Sequence, residues 1–190
     1  METRTYNVYK FEELSKEAQE KAIENYRDIN VDFQGYDETT LEDLKEELEK
    51  LGFSSPDICY SGFCSQSDGA SFTCTYIDIL KFFKEKKLVT KYKECKKDIQ
   101  EGEISASVYR NTHQYSHENT CSVSMNDYHA KASDKILLEL ENELEKARLE
   151  LCKTIYKRLE DEHNYLTSDE VVKETLLCND YDFTIDGKID

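Results

Sequence analysis

Two polar stretches contain the side chains whose types and spacing could do chemistry. The first runs from Ser61 to Phe72 and places small, turn-forming residues between two strand-like runs. Such residues leave backbone N–H groups and hydroxyls open to a ligand. The second runs from His113 to Thr120. If both lie at the same end of one sheet, they form one polar site, whose candidate ligand-binding residues are Ser65, Gln66, Asp68, Ser71, His113, His117 and Glu118.

Three kinds of chemistry could use these residues. His117 could act as a general acid or base, because histidine titrates near neutral pH. Ser65 or Ser71 could be a nucleophile that works with a histidine and Asp68, but no G-x-S-x-G elbow supports this. His113 and His117 have the spacing of two metal ligands on a helix, yet the alternating Ser and Thr residues around them predict a hairpin tip. We therefore expect no metal site. No phosphate-binding or dinucleotide-binding glycine motif occurs, so we also expect no cofactor, and no catalytic residue is identified.

Seven cysteines are scattered along the chain, and no C-x-x-C pair occurs among them. This spacing argues against a zinc knuckle or a thioredoxin-like motif, so we expect free thiols in a reducing compartment. Cys64 and Cys74 flank the loop of the first polar stretch. Either could be an activated thiolate if His117 lies nearby, and the alternative is a buried structural cysteine.

The charge of the chain restricts its partners. The formal net charge is −16 over 190 residues, which disfavours direct binding of nucleic acid because the phosphates would be repelled. Lys81–Lys97 is the exception, since it has eight lysines, two glutamates and a net charge of +6, and the remainder of the chain therefore sums to −22. The lysines indicate either a solvated helix face or a contact for an acidic ligand or partner.

A dense group of carboxylates lies on one predicted helix, opposite a stripe of leucines. This group, called the acidic face below, comprises Glu42, Asp43, Glu46, Glu47 and Glu49. Such a face can simply keep a protein soluble. Carboxylates spaced along a helix can also imitate nucleic-acid phosphates and bind a basic groove on a partner. The sequence leaves both interpretations open.

Helical and strand-like periodicities occupy separate parts of the chain. Helices are predicted after the caps Ser15, Thr39 and Ser133, and a capping box at Thr167–Glu170 opens another. Strands are predicted over Thr3–Lys10, Ile58–Cys64, Ser71–Asp78, Glu103–Arg110 and Asn119–Asp127, with a small hairpin at Asp182–Ile189.

This segregation predicts a single α+β domain over residues 1–190. We expect an antiparallel β-sheet of four or more strands, helices packed on one side of it, and a long C-terminal helix within a helical part at residues 133–178. The long helix would extend about 45 Å, so part of it could pair with a second copy in a homo-oligomer. No apolar run approaches the roughly 20 residues that span a bilayer, and no signal-peptide pattern is present. We therefore expect a cytoplasmic protein without a membrane contact.

Several segments resemble a group of uncharacterised accessory proteins encoded by bacteriophages and prophages. The segments are Tyr9–Ser15, Ala18–Val31, Ser61–Phe63, Ser65–Phe72, Tyr115–Thr120 and Tyr165–Phe183. Gly62-Phe63 and Asp68–Phe72 are the most specific pieces. The chain departs from the group at Ser67, where the group has a glycine, and near Cys64, where an aromatic residue is common. The resemblance implies a phage protein in the host cytoplasm and assigns no chemistry.

Two functions follow as expectations. The leading one is a phage-encoded acidic accessory protein without catalytic activity that binds a host protein, such as a nucleic-acid-handling or defence protein. It would be a counter-defence inhibitor or a nucleic-acid mimic, with the acidic face as its partner-binding surface. The alternative is a small-ligand-binding or hydrolytic domain, whose site is built from Ser65–Ser71 and His113–Asn119.

Overall fold

The computed structural model describes residues 7–112 and 115–190. These residues form two compact units, each with its own hydrophobic core. Residues 38–160 make up the central unit, and the segments before Glu38 and after Glu160 make up the terminal unit. The organisation of residues 1–190 as a single domain stays a prediction.

The strands of the central unit do not form the predicted sheet of four or more strands, and that prediction is wrong. Among the described residues, the strands form three two-stranded antiparallel sheets. The pairs are β1 (Phe53–Ser54) with β4 (Tyr76–Ile77), β2 (Asp57–Ser61) with β3 (Gly69–Thr73), and β5 (Ser105–Arg110) with β6 (Cys121–Asn126).

A bend at Thr75 explains why the sheet stays narrow. The alternation of the sequence predicts one strand over Ser71–Asp78, but the chain bends in its middle. Before the bend, Cys74 and Val108 exchange two backbone hydrogen bonds, each 3.0 Å long, in a single antiparallel bridge between the chain after β3 and β5. After the bend, β4 pairs with β1. The backbone hydrogen bonding between the two hairpins therefore stops after one residue pair.

Six α-helices accompany the strands in the described part of the chain. They are α1 (Lys16–Asn25), α2 (Glu38–Lys50), α3 (Ile79–Glu85), α4 (Cys95–Gln100), α5 (Asp134–Leu166) and α6 (Asp169–Cys178). The prediction of a mixed helix-and-strand fold with a long C-terminal helix is confirmed by α5, which has 33 residues. No helix within residues 7–112 and 115–190 is long and apolar enough to cross a membrane.

The core of the central unit is aromatic where the short strands meet α3. Phe53 of β1 packs edge-to-face on Phe72 of β3 and on Phe82 of α3, with ring centroids 5.2 and 6.2 Å apart. Helix α5 adds Leu140 and Leu144, which are fully buried. Burial of a side chain of this size stabilises the fold by about 1.5–3 kcal/mol, whereas isolated two-stranded ladders are marginal. Side-chain packing therefore holds the strands in place.

The terminal unit has a smaller core around Phe11 and Phe183, whose rings meet edge-to-face at 5.8 Å. Tyr9 forms an antiparallel bridge with Phe183, which also bridges Ile189 in the chain's last turn. Residues 3–6 of the strand predicted over Thr3–Lys10 lie outside the described residues.

Candidate functional site

The structure brings the two polar stretches together at Gly69, the first residue of β3. A Cβ atom on Gly69 would lie 2.6 Å from the Cβ atom of His117 and 2.9 Å from its Cα atom. Only a residue without a side chain allows this approach. The Ser61 hydroxyl also donates a hydrogen bond to the Ser116 carbonyl oxygen at 3.2 Å. The stretches are thus joined by backbone packing at Gly69 and by the hydrogen bond from Ser61.

The Asp68 carboxylate is engaged by its own loop. Its Oδ2 atom accepts hydrogen bonds from the backbone N–H groups of Ser65 and Cys64 at 2.7 and 2.8 Å, and its Oδ1 atom accepts one from the Ser65 hydroxyl at 3.0 Å. The two N–H groups lower the pKa of Asp68 below its ordinary value, so the carboxylate is ionised at neutral pH. Asp68 therefore closes the turn that presents Ser65 and Gln66 to solvent.

The polar atoms of His117 are used in a similar way. Its Nδ1 atom accepts a hydrogen bond from the Asn119 N–H at 3.2 Å. The Thr120 hydroxyl accepts from the His117 N–H at 3.2 Å and donates to the His117 carbonyl oxygen at 2.7 Å. These bonds build the 3-10 turn Glu118–Thr120, so the imidazole acts as a cap for that turn.

The other predicted ligand-binding residues are dispersed. Ser65 and Gln66 are exposed, and Glu118 is half-buried. Ser71 is only 2% exposed, so its hydroxyl is shielded from a ligand in solvent. His113 lies outside the described residues. Among the described residues, no three His, Cys, Asp or Glu side chains converge in a way that could hold a metal ion.

A buried arginine positions the second polar stretch, and the sequence reasoning missed it. Arg148 of α5 is 1% exposed. Its guanidinium donates to both carboxylate oxygens of Glu145, at 2.9 and 2.6 Å, and to the Glu118 carbonyl oxygen at 2.5 Å. This last bond fastens the polar stretch to α5. The available signal was a charged residue four positions after Leu144, within the apolar stripe of α5.

The same guanidinium lies beside two thiols. Its Nη1 atom lies 3.1 Å from Cys121 Sγ, and Cys121 Sγ lies 3.9 Å from Cys152 Sγ. Both cysteines are buried. A hydrogen bond from Cys152 and the charge of Arg148 lower the pKa of Cys121, although burial acts in the opposite direction. The pair belongs to the core of the central unit and is not accessible to a substrate.

The acidic face lies on α2 and points to solvent. The opposite side of α2 buries Leu44 and Leu48, so the leucine stripe predicted from the sequence is the packed side. The carboxylate-bearing residues that share the outer side are all exposed. They are Glu42, Asp43, Glu46, Glu47 and Glu49.

Two of the five carboxylates have a cationic partner. Glu46 lies 3.3 Å from the Lys50 ammonium, and Glu47 lies 2.7 Å from the guanidinium of Arg158 on α5. Both pairs are largely exposed, and pairs of this kind stabilise a protein by at most about 1 kcal/mol. The carboxylates without an ion pair in the described part of the chain are Glu42, Asp43 and Glu49. The face therefore retains three carboxylates that no ion pair of the described residues neutralises.

Comparison with known proteins gives a family and no function. Residues 36–169 match the family model described as a domain of unknown function, DUF8835. The matched segment covers more than half of the chain and contains the whole central unit, including the acidic face and both polar stretches. No curated protein and no solved structure matches the chain significantly.

Proposed function

We propose that this chain, which belongs to the DUF8835 family, is a phage-encoded accessory protein that binds a host protein and catalyses no reaction. The observation that carries the proposal is the acidic face of α2. Five exposed carboxylates lie on one side of a helix whose other side is packed, and three of them have no ion pair among the described residues. A rigid helix with free charges is suited to an electropositive partner.

The spacing of the carboxylates on this face suits a nucleic-acid mimic. The five carboxylates are spread over about 10 Å of helix axis, or about one for every 2 Å. Duplex DNA carries one charge for about every 1.7 Å of its axis. Lys45 and Lys50 offset two charges and leave a net charge of −3 over Glu42–Lys50, so the net charge density is about half that of DNA. This short run of charge fits a short basic groove better than a long DNA channel.

The proposed partner is a host protein that handles nucleic acid or acts in defence, because such proteins present basic grooves to phosphates. The chain would occupy the groove and act as a counter-defence inhibitor. Its net charge of −16 repels nucleic acid itself, so it would compete for the groove without binding the displaced strand. We place this activity in the host cytoplasm.

Affinity capture from bacterial host lysates tests the proposal. The bait is the full chain, compared with an α2 variant that carries Glu42→Gln, Asp43→Asn and Glu49→Gln, which neutralises the three carboxylates without an ion pair in the described part of the chain. A control variant carries the same charge change on exposed residues of the terminal unit, as Glu20→Gln, Glu170→Gln and Glu174→Gln. We expect one host protein to be retained stoichiometrically by the wild type and the control and to be lost from the α2 variant. Equal retention by all three baits would contradict a role for the acidic face.

A second candidate is ligand binding or hydrolysis at the joined polar stretches, and the close packing of Gly69 against His117 favours it. The Nε2 atom of His117 would be the acid–base group, because Nδ1 already accepts a hydrogen bond. A double variant, Asp68→Ala with His117→Ala, separates the two candidates. The second candidate predicts that this variant, still folded, loses ligand binding or hydrolysis while partner capture by the acidic face survives. Unchanged ligand binding in the variant would contradict the second candidate.

Self-association through α5 is a further proposal about partners. Leu138 on this helix is 59% exposed. A single exposed leucine provides only a small apolar contact, so we expect any dimer to be weak. Sedimentation equilibrium tests the proposal. A concentration-dependent dimer that Leu138→Lys abolishes would support it, and a monomer at all concentrations would contradict it.

A further inference from the structure

A small apolar cavity opens beside the segment that joins α3 to α4. It has a volume of about 220 Å³, and its lining residues are Leu80, Phe83, Lys84, Val89, Tyr92 and Lys96. Phe83 and Tyr92 are 2% and 0% exposed and form its base, with rings stacked at 5.1 Å between centroids. The Tyr92 hydroxyl donates to the Glu139 carbonyl oxygen at 3.1 Å. The base is therefore fixed, and the cavity is already formed without a ligand.

The mouth of the cavity combines apolar surface with positive charge. Val89 is 51% exposed there, and Lys84 and Lys96 are exposed on the adjoining helices. A group that fills the cavity and covers Val89 would remove apolar surface from water, which is favourable. A polar head on the same group would remain at the mouth, on the side lined by Lys84 and Lys96.

No ion pair within residues 7–112 and 115–190 neutralises the two lysines at the mouth. Within the described part of the chain, Lys91 pairs with Glu143 at 3.0 Å and Lys97 with Glu101 at 3.6 Å, but no carboxylate lies within ion-pair distance of Lys84 or Lys96. The surrounding run Lys81–Lys97 has a net charge of +6. The lysines of this run repel one another. An anion at the mouth would reduce that repulsion, whereas a cation would increase it.

We propose that this cavity binds a small amphiphilic carboxylate, with its apolar ring or short chain against Phe83 and Tyr92 and its carboxylate between Lys84 and Lys96. The volume is below the roughly 300–1,000 Å³ of sites for drug-sized ligands, which restricts the ligand to a single ring or a short chain. The ammonium group of lysine is a compact point charge and does not require the two-point contact that an arginine guanidinium makes. A ligand with a single carboxylate therefore satisfies both lysines. This site does not depend on the proposed function of the acidic face.

Protein-observed NMR tests the proposal with three probes that share a phenyl ring and a three-carbon chain. They are 3-phenylpropionate, 3-phenylpropanol and 3-phenylpropylamine. We expect 3-phenylpropionate to bind with a dissociation constant on the order of 1 mM or tighter and to shift the amides of Leu80, Phe83, Val89 and Tyr92. We expect the alcohol to bind more weakly at the same amides and the amine to bind least.

Charge variants show whether the lysines at the mouth carry the preference. Lys84→Gln with Lys96→Gln should weaken 3-phenylpropionate roughly tenfold and leave the alcohol unchanged. The control, Lys81→Gln with Lys93→Gln, removes the same charge from exposed lysines that do not line the cavity and should have a smaller effect. Equal affinity for all three probes, shifts away from the cavity, or no binding at about 10 mM would each overturn the proposal.

Discussion

Arg148 holds a full positive charge inside the central unit. A buried guanidinium is tolerated only when its charge is paired and its N–H groups have acceptors. Glu145 supplies the charge and two acceptors, and the Glu118 carbonyl oxygen supplies a third. The two partners of the ion pair are unequal, because the side chain of Arg148 is 2% exposed and that of Glu145 is 35% exposed. Removal of one partner should therefore not have the same effect as removal of the other.

We predict that Glu145→Gln destabilises the protein more than Arg148→Met does. The first change leaves a buried cation without a counter-charge, which costs about 3 kcal/mol. The second leaves a carboxylate that water can reach, so the loss is about 1–2 kcal/mol from missing hydrogen bonds. Urea denaturation followed by circular dichroism measures both. A larger loss in Arg148→Met would contradict this prediction and would mean that the hydrogen bonds of the guanidinium stabilise the fold by more than the unpaired charge destabilises it.

The reactivity of the cysteines should follow their burial and not the pKa of each thiol. We predict that iodoacetamide alkylates Cys64 and Cys178 in the native protein, because both are exposed. Cys121 should resist despite its lowered pKa, since it is 1% exposed and the reagent cannot reach it. Cys95 should resist for two reasons, because burial also raises its pKa to about 11. Mass mapping of the labelled peptides tests this, and labelling of Cys121 as fast as Cys64 would contradict it.

At the scale of elements, the Ser65–Asp68 turn and the Gly69 contact determine how the polar stretches meet. Asp68 closes the turn and Gly69 permits the approach of His117. Neither role requires a ligand. Each role can be tested by a single substitution, Asp68→Asn for the turn and Gly69→Ala for the contact with His117.

Acid should open the Asp68 turn. The pKa of Asp68 is lowered from 3.8 by the N–H groups of Ser65 and Cys64. A carboxyl whose pKa is lowered by folding stabilises the structure fully above 3.8, and this contribution is lost as the pH falls through the lower folded value. We therefore expect the amide resonances of Cys64 and Ser65 to shift only below pH 3.8. Asp68→Asn should show the open-turn shifts at neutral pH, and a turn unchanged in this variant would contradict the assignment.

Gly69→Ala should force the polar stretches apart. The new Cβ atom would lie 2.6 Å from the Cβ atom of His117, and overpacking of this kind costs about 1–3 kcal/mol. Gly102→Ala is the control, because it has a positive φ of 78° and no neighbour within 4 Å, so it reports backbone strain alone, about 1 kcal/mol. Thermal unfolding compares them. A Gly69→Ala variant as stable as the wild type would show that the contact with His117 is not tight.

Some helix starts could be predicted because caps are local. The Ser15 hydroxyl accepts from the Ala18 N–H, as its position before an apolar stripe indicates. Two other predicted caps are displaced, because α6 is capped by Ser168 and not by Thr167, and Thr39 lies inside α2, which begins at Glu38. The sheet could not be predicted, because the bend at Thr75 depends on the pairing of β4 with β1, which no local pattern encodes. The polar stretches could be located from composition. The hydrogen bonds that Asp68 accepts from its own loop depend on the geometry of the turn, and the sequence did not predict them.

At the scale of the whole molecule, charge is the clearest guide to partners. The central unit carries the acidic face on α2 and the lysine-rich run over Lys81–Lys97, two surfaces of opposite sign on different helices. The overall charge is −16. The lysine-rich run is therefore a positive patch on a negative protein, and the acidic face is the densest part of the negative surface on α2. The two surfaces therefore call for different partners and can be tested with separate variants.

The central claim is that the acidic face binds a basic partner, and the salt dependence of that binding tests it most directly. The measurement is the dissociation constant of the captured host protein at several salt concentrations, for the wild type, the α2 variant and the control variant. We predict that binding weakens steeply with salt in the wild type and the control. In the α2 variant we expect affinity at low salt to fall at least roughly tenfold and the salt dependence to flatten. Affinity and salt dependence that are the same in all three proteins would contradict the account.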